Sequence, residues 1–300
     1  MQFNGVCYDV GRRMMGQDWR ADYDPRQVRR ELEIVRDDLH CNSVRICGED
    51  AERLTSTAAQ ALELGLDVWL SPELWDQSAE ETLDYIAAAA KRAGELQRDY
   101  GGRMVFSVGS ELTLFMQGIV EGRNVLERLN NPSFWDDVRS GAHNRALNSF
   151  LVKAAYAVRE KFQGDLTYAS VPLEAVDWGL FDFVSVELYR EARIRDGYRD
   201  LLRRWFAFGR PVAVTEFGCC TYRGAADAGG RGWAIVDPSQ SPPRWFGDYV
   251  RDESEQAREV AEMLEILGAE GVAGAFVMTF VQPRTATTRA RTSTWRATAS

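Results

Sequence analysis

The stretch Pro211-Val-Ala-Val-Thr-Glu-Phe-Gly218 has the form of a buried strand in a parallel sheet. Its apolar run is bounded by turn residues and ends on Glu216. A second stretch, Met104-Val-Phe-Ser-Val-Gly-Ser-Glu-Leu112, ends in the same way on Glu111. Parallel sheets covered on both faces contain such near-continuous apolar strands, and they carry their chemistry at the carboxyl ends of the strands. We therefore expect the two glutamates at the same edge of one sheet.

Extended apolar runs alternate with amphipathic helical segments along the chain, which is the pattern of βαβ units. Eight strands are predicted, at residues 3–10, 42–47, 67–74, 104–112, 166–173, 181–189, 211–218 and 272–280. Helices are predicted at residues 24–39, 50–64, 78–100, 142–162, 198–208 and 252–267, with a short one near Trp178. Because 300 residues are about enough for one such barrel, we predict a single (β/α)8 TIM barrel over residues 1–283.

Three segments fall outside this alternation. Residues 113–140 and 221–249 are predicted as long irregular loops at the active edge, where loops commonly carry function. Residues 284–300 contain only Arg, Thr, Ala and Ser apart from Trp295, and give no signal for an eighth helix. We expect this low-complexity tail not to pack as a helix, and a natural disordered tail, a truncated domain and a frame-shifted coding region all remain open.

Composition restricts the partners and cofactors. The formal net charge of -9 disfavours nucleic acid and anionic membranes as partners and favours a small-molecule or oligosaccharide substrate. The five cysteines lack CxxC spacing and there are only two histidines, so neither a disulfide framework, a metal site nor a cofactor is expected. No leader and no apolar run of about 18 residues is found, and a cytoplasmic protein is therefore expected.

The alternation of side chains along each strand predicts which residues share the active end of the barrel. On the strand of Glu216, this parity places Val212 and Val214 on the same face as the glutamate, with Ala213 and Thr215 toward the helices. Applied to the other strand ends, parity predicts one cluster, made of Arg45, Glu73, Glu111, Glu187, Tyr189 and Glu216.

Paired carboxylates are what cleavage of a glycosidic bond requires, since one protonates the leaving oxygen and the other attacks the sugar carbon. Neighbouring carboxylates also push their pKa values apart, so that one holds a proton while the other stays ionised. Arg45 beside Glu216 would keep that carboxylate charged, and the Tyr189 hydroxyl could orient it. Glu111, which is less compensated by positive charge, would then be the acid.

At these residues the sequence resembles the retaining glycoside hydrolases of clan A, the cellulase-like and β-mannanase-like (β/α)8 enzymes. Thr215-Glu216-Phe217-Gly218 is similar to the clan's nucleophile motif at the end of strand seven, and Asn42-Ser43-Val44-Arg45-Ile46 is similar to its strand-two motif. Tyr189 is similar to the tyrosine that binds the nucleophile. The resemblance implies that Glu111, at the end of strand four, is the acid/base.

The sequence departs from the clan at three positions. Ser110 stands where the clan usually has an asparagine, Glu187 stands where a histidine is expected, and strand eight ends at Phe280 where a tryptophan is common. These departures make the chain a divergent member and leave the sugar undefined.

The sequence thus predicts retaining hydrolysis of a β-glycosidic bond, with Glu216 as nucleophile and Glu111 as acid/base, their carboxyls about 5 to 5.5 Å apart. Substrate-binding or supporting roles are predicted for Arg45, Tyr189, Glu187, Ser110, Glu73 and Trp75. Two alternatives remain open: a lyase, cyclase or transglycosylase on the same barrel, and an inactive barrel that only binds carbohydrate.

Overall fold

A computed structural model describes residues 1–14, 17–18, 20–237 and 244–280. The predicted tail at residues 284–300 lies outside the described residues, as do the last three residues of the predicted barrel domain.

Eight parallel strands form a closed barrel, as predicted. The strand β1 pairs with both its successor β2 and the last strand β8, which closes the sheet. The strands are β1 (Phe3–Asp9), β2 (Ser43–Gly48), β3 (Asp67–Pro72), β4 (Met104–Ser110), β5 (Asp165–Ser170), β6 (Val184–Glu187), β7 (Val212–Phe217) and β8 (Gly274–Val277). The predicted (β/α)8 TIM barrel is confirmed.

Long helices connect most of these strands and cover the barrel. In the described part of the chain they are α1 (Pro25–Asp37), α2 (Ala51–Glu63), α3 (Ala79–Tyr100), α4 (Ala142–Arg159), α5 (Tyr198–Phe206) and α6 (Glu253–Glu270). Between β5 and β6 the chain forms only the 3-10 turn Trp178–Leu180, as the short spacing predicted. None of the described helices is long and apolar enough to cross a membrane.

The helix ends follow from local side-chain chemistry. The Asp24 carboxylate accepts the backbone N–H of Arg26 at 2.9 Å and begins α1. Ser78 and Glu81 form a reciprocal capping box that begins α3, and Gly101 ends that helix with a φ of 64°. Such side chains satisfy the free N–H groups of a first turn, and glycine adopts the left-handed cap without a steric cost.

Apolar side chains pack in two layers. The outer layer lies between strands and helices, and it includes Val44 and Ile46 of β2 together with Val28 and Leu32 of α1. The inner layer fills the barrel and includes Phe3, Trp69, Phe183, Ala213 and Phe276. Its aromatic rings meet at centroid distances of 5.0 to 5.8 Å, the edge and tilted geometry that aromatic pairs prefer.

The face predicted for the residues around Glu216 is wrong in one respect. Val212 and Val214 belong to the outer layer, whereas Ala213 faces the barrel interior. On β7 the register shifts by one residue, because Val214 lies opposite Ala275 while Phe217 lies opposite Val277. Strict alternation from Val212 and Val214 would place Glu216 on the outer side as well. The bulge adds one residue to β7 and thereby turns Glu216 to the inner side.

The two segments predicted as irregular are instead built from short elements. Residues 112–140 contain the helices Leu112–Phe115, Val125–Asn130 and Phe134–Ser140. After β7 the chain forms the short helix Ala225–Ala228, a 3-10 stretch and the paired strands Val236–Asp237 and Arg244–Trp245. A further two-residue pair, Arg13–Met14 with Gln17–Asp18, follows β1. All of these segments follow the carboxyl ends of strands, so they surround the end of the barrel where the glutamates lie.

Candidate active site

Arg45 is the centre of the charged cluster at the carboxyl ends of the strands. Its side chain is 1% exposed, and its Nη1 donates to Glu216 Oε1 at 2.6 Å. Its Nη2 lies 3.1 Å from Glu73 Oε1 and 3.3 Å from Glu187 Oε1. A buried guanidinium is tolerated only when carboxylates pair with it, and its planar fork can serve several at once. Arg45 therefore contacts three of the other five predicted strand-end side chains directly.

Glu216 is fixed through both carboxylate oxygens. Arg45 donates to Oε1, and the Tyr189 hydroxyl donates to Oε2 at 3.0 Å. The glutamate side chain keeps 12% exposure, so it remains open to the space above the barrel. Donors on both oxygens hold the orientation of the carboxylate. Such an oriented carboxylate can act as a nucleophile or stabilise a cation.

Glu111 follows β4 directly and adopts an unusual backbone conformation. Its φ of 48° and ψ of 41° lie in the left-handed region, which costs a non-glycine residue about 1–3 kcal/mol. The next two backbone N–H groups are held by β5 and its loop: Leu112 donates to the Tyr168 hydroxyl at 2.8 Å and Thr113 donates to Glu174 Oε1 at 3.0 Å. These contacts hold Glu111 at the end of the strand, with the half-buried Glu174 as a support.

The environment of Glu111 suits a proton donor. Burial is the main cause that raises the pKa of its carboxyl to about 7, and the negative charges of Glu216, Glu174 and Glu73 add to the effect. A hydrogen bond with the Glu187 side chain acts in the opposite direction. A carboxyl with a pKa near 7 can give a proton and take one back at neutral pH.

Glu187 is a third carboxyl in the same group. Its Oε1 accepts from the Ser110 hydroxyl at 2.7 Å and from Arg45 Nη2 at 3.3 Å, and the residue is 4% exposed. Burial, followed by the charges of Glu111 and Glu216, raises the pKa of Glu187 well above its ordinary value. Ser110, the residue in the place of the expected asparagine, thus contacts Glu187 and also Arg45, at 3.3 Å.

Arg12, which lies in the turn after β1, belongs to the cluster although it is not among the predicted site residues. Arg12 Nη1 forms an ion pair with Glu73 Oε2, and its Nη2 lies 2.9 Å from Asp9 Oδ2. Burial raises the pKa of Glu73, while Arg12 and Arg45 act to lower it. The sequence signal that could have identified Arg12 is Asp9-Val-Gly-Arg12, in which two opposite charges lie at the end of a strand and directly after it. Gly11 between them has a φ of 112°.

Trp75 packs within the protein rather than standing open at the rim. Its ring stacks on Phe115 with centroids 4.0 Å apart, and the Arg12 guanidinium lies 4.8 Å from the ring centre. A guanidinium over an indole is held by cation–π attraction. Trp75 therefore supports Arg12 and, through it, Glu73.

The cysteines near the site are free thiols. Cys7 lies 3.6 Å from Arg45 Nη1, and burial raises the pKa of its thiol to about 12. Cys47 contacts Arg12, and burial raises its pKa as well. Neutral buried thiols are poor nucleophiles. Within the described residues, no group of three or more His, Cys, Asp or Glu side chains is arranged to hold a metal ion.

Comparison with known proteins gives structural likeness only. No protein-family model matches the chain, and no curated protein matches it. A GH113 β-1,4-mannanase matches with a TM-score of 0.61 and 14% identity, covering 92% of this chain and 87% of the mannanase. The GH113 β-mannanase AaManA from Alicyclobacillus acidocaldarius matches with a TM-score of 0.60 and 16% identity, covering 93% and 87%.

A β-glucuronidase from Ruminococcus gnavus matches 97% of this chain with a TM-score of 0.58 and 15% identity, but the match covers 45% of that longer protein. At such identities the likeness concerns the fold. The barrel of this chain thus has the fold of these glycoside hydrolases, which is the fold that the resemblance to clan A implies.

Proposed function

We propose that the protein is a retaining β-glycoside hydrolase, in which Glu216 is the nucleophile and Glu111 the acid/base. One observation carries the proposal. Glu216 is held through both oxygens by Arg45 and Tyr189, while desolvation raises the pKa of the Glu111 carboxyl to about 7. Two carboxyls in opposite protonation states are what a double displacement requires.

In the first step, protonated Glu111 gives its proton to the glycosidic oxygen as that bond breaks. A Glu216 oxygen attacks the anomeric carbon and forms a covalent glycosyl-enzyme, releasing the leaving group as an alcohol. Arg45 and Tyr189 hold the attacking carboxylate in place throughout.

In the second step, ionised Glu111 takes a proton from water, and the resulting hydroxide attacks the anomeric carbon from the face that the leaving group occupied. The bond to Glu216 breaks and its carboxylate is restored. Because the same residue is acid and then base, a pKa near 7 serves both steps at neutral pH.

The test is turnover of a panel of aryl β-glycosides by the wild type and by Glu111→Ala and Glu216→Ala, each with and without azide. Both variants should lose activity. Azide should rescue Glu111→Ala with a β-glycosyl azide as product, since the covalent intermediate still forms. In Glu216→Ala it should replace the nucleophile and give an α-glycosyl azide.

Glu121→Ala is the matched control, because Glu121 is exposed in the segment after β4 and lies outside the cluster. It should keep the wild-type rates. The proposal would be contradicted by a folded wild type that turns over no glycoside of the panel, or by full activity in Glu216→Ala. Transfer products in place of free sugar would support the first step and replace hydrolysis by transglycosylation.

A further inference from the structure

Glu111 occupies the N-cap position of the short helix Leu112–Phe115, directly after β4. A side chain at this position usually accepts the backbone N–H of the second or third helical residue. The Glu111 side chain makes no such capping hydrogen bond. A glutamate that capped its own helix would hold its carboxyl against the backbone, where it could not serve as an acid or base. Other groups must therefore satisfy the first N–H groups of this helix.

Two side chains from β5 and the loop after it take over the capping role. The Leu112 N–H donates to the hydroxyl of buried Tyr168 at 2.8 Å, and the Thr113 N–H donates to Glu174 Oε1 at 3.0 Å. The other two N–H groups of the helix donate to the backbone carbonyl of Glu111, at 2.8 and 3.1 Å. All four N–H groups are thus satisfied without the carboxyl of Glu111.

Glu174 is itself fixed by donors at both oxygens. Its Oε2 accepts the Val171 N–H at 3.2 Å, and the Tyr168 hydroxyl donates to Oε1 at 2.9 Å and to Oε2 at 3.0 Å. Each oxygen thus accepts one backbone N–H, from Thr113 or from Val171. A carboxylate can accept at both oxygens, whereas an amide has a single oxygen and an NH2 group that only donates. The arrangement therefore suits a carboxylate and not its amide isostere.

We propose that Glu174 and Tyr168 are positioning residues, which cap the Leu112–Phe115 helix in place of Glu111 and leave its carboxyl free to react. The inference rests on the proposed acid/base role of Glu111 and extends it. The same contacts hold the left-handed backbone of Glu111, with a φ of 48°, although an N-cap residue usually has extended backbone angles. Without them, we expect Glu111 to move toward the extended conformation and to cap the helix with its own carboxyl.

Glu174→Gln tests the proposal, because its amide can accept from only one of the two backbone N–H groups. A displacement of about 1 Å can cost about 100-fold in rate, and acid–base catalysis contributes about 10²–10⁴-fold. We therefore expect kcat/KM for a phenyl β-glycoside to fall roughly 10- to 100-fold. For a dinitrophenyl β-glycoside, whose leaving group departs without a proton, kcat/KM should change by less than about threefold.

The second step of the reaction gives a further sign of a displaced base. Glu111 must deprotonate water in this step, so hydrolysis of the glycosyl-enzyme should slow in Glu174→Gln. For the dinitrophenyl glycoside, kcat and KM should then fall together, because the covalent intermediate accumulates. A merely structural loss would instead lower kcat/KM for both glycosides alike, since it reduces the amount of active protein.

Glu255→Gln is the matched control. Glu255 Oε1 accepts the N–H groups of Gly224 and Ala226, at 2.9 and 3.0 Å, and so caps the short helix Ala225–Ala228 after β7 from a position on α6. The variant loses the same kind of cap at a helix that does not begin at Glu111. It should keep the wild-type ratio of the two kcat/KM values.

Tyr168→Phe is the second test, and it applies if Glu174→Gln does not fold. The phenylalanine fills the same space but leaves the Leu112 N–H without its acceptor. It also removes the hydroxyl that donates to Glu174. The ratio of kcat/KM for the phenyl glycoside to that for the dinitrophenyl glycoside should fall, as in Glu174→Gln.

A crystal structure of Glu174→Gln separates this inference from the proposed function, because it needs no substrate. We expect Glu111 to leave the left-handed region and its carboxyl to accept the Thr113 N–H. That result would support the capping role even in a protein that hydrolyses no glycoside. A Glu111 that keeps a φ near 48° with its side chain off the helix, or equal losses of kcat/KM for both glycosides, would overturn the inference.

Discussion

Replacing Arg45 with methionine tests how the cluster is held together. The side chain is 1% exposed and contacts Glu216, Glu73 and Glu187. Removing one partner of a buried ion pair costs about 3–5 kcal/mol of unfolding free energy. Arg45 has three partners, but we expect a total loss in this range rather than one such loss for each partner. Glu73 still pairs with Arg12, Glu216 still accepts from Tyr189, and Glu187 can remain neutral.

The loss should also depend on pH. Without the cation, ionising the buried carboxyls of Glu73 and Glu187 becomes more costly, so their folded-state pKa values, which burial already raises, move further above the unfolded value of about 4.3. A group with a raised folded-state pKa stabilises the fold at low pH, and this contribution is lost as pH rises through that pKa. The difference between wild type and Arg45→Met should therefore be larger at pH 8 than at pH 5.

Thermal unfolding at both pH values measures this effect. At about 2–4 °C per kcal/mol, a loss of about 3–5 kcal/mol lowers Tm by roughly 6–20 °C. The control is Arg123→Met, since Arg123 is exposed and pairs with Glu127, four residues further along the chain. It should change Tm by a small fraction of that amount. A Tm loss in Arg45→Met as small as the control's, or a loss that is the same at both pH values, would refute the reasoning.

Three further outcomes follow from the site. Tyr189→Phe removes one of the two donors to Glu216 and should lower kcat/KM by roughly 10- to 100-fold, the value of a hydrogen bond to a charged group; an unchanged rate would exclude that role. In the wild type, kcat/KM should fall as pH rises through about 7, because Glu111 loses the proton it must donate; a flat profile to pH 9 would exclude Glu111 as the acid. Aryl β-glucuronides should react at least about tenfold more slowly than aryl β-glucosides, since Arg45 and Arg12 are already paired with carboxylates; equal rates would contradict this charge argument.

The barrel could be predicted from the sequence because its signals are local and repeated. Apolar runs bounded by turn residues mark the strands, and cap residues such as Asp24 and Ser78 mark the helix starts. The alternation of side chains places Arg45, Glu73 and Glu187 correctly. These residues lie on regular strands or directly after them, and the side chains on the two faces of each strand differ clearly in character.

The bulge at Glu216 could not be predicted in this way. Both faces of β7 are apolar, so Val212, Ala213 and Val214 give no indication of which side faces the helices. The extra residue is defined by pairing with β6 and β8, which are distant in sequence. The alternation of side chains puts Glu216 on the correct side only because two errors cancel. The prediction places Val212 and Val214 on the wrong face of β7, and it also treats the end of this strand as regular, without the extra residue.

The short helices after β4 escape prediction for a different reason. They are too short to show a helical period in sequence, and contacts from other parts of the chain stabilise them. Arg128, which is fully buried, donates to Asp76 Oδ1 at 2.8 Å and to the Leu114 carbonyl at 2.6 Å, and thereby ties this segment to the loop after β3. Arg12 likewise escapes prediction because its partners Glu73 and Trp75 come from another strand end.

The central claim is that Glu216 becomes covalently linked to the sugar. The most direct measurement is reaction with a 2-fluoro aryl β-glycoside of the best sugar in the panel, followed by tryptic digestion and mass spectrometry. Glu216 is the single acidic side chain in the tryptic peptide 205–223, so an adduct there can be assigned to it. We predict one fluoroglycosyl group on this peptide, and none in Glu216→Ala. An adduct on the peptide of Glu111 or Glu187, or stoichiometric inactivation without any adduct at 205–223, would contradict the account.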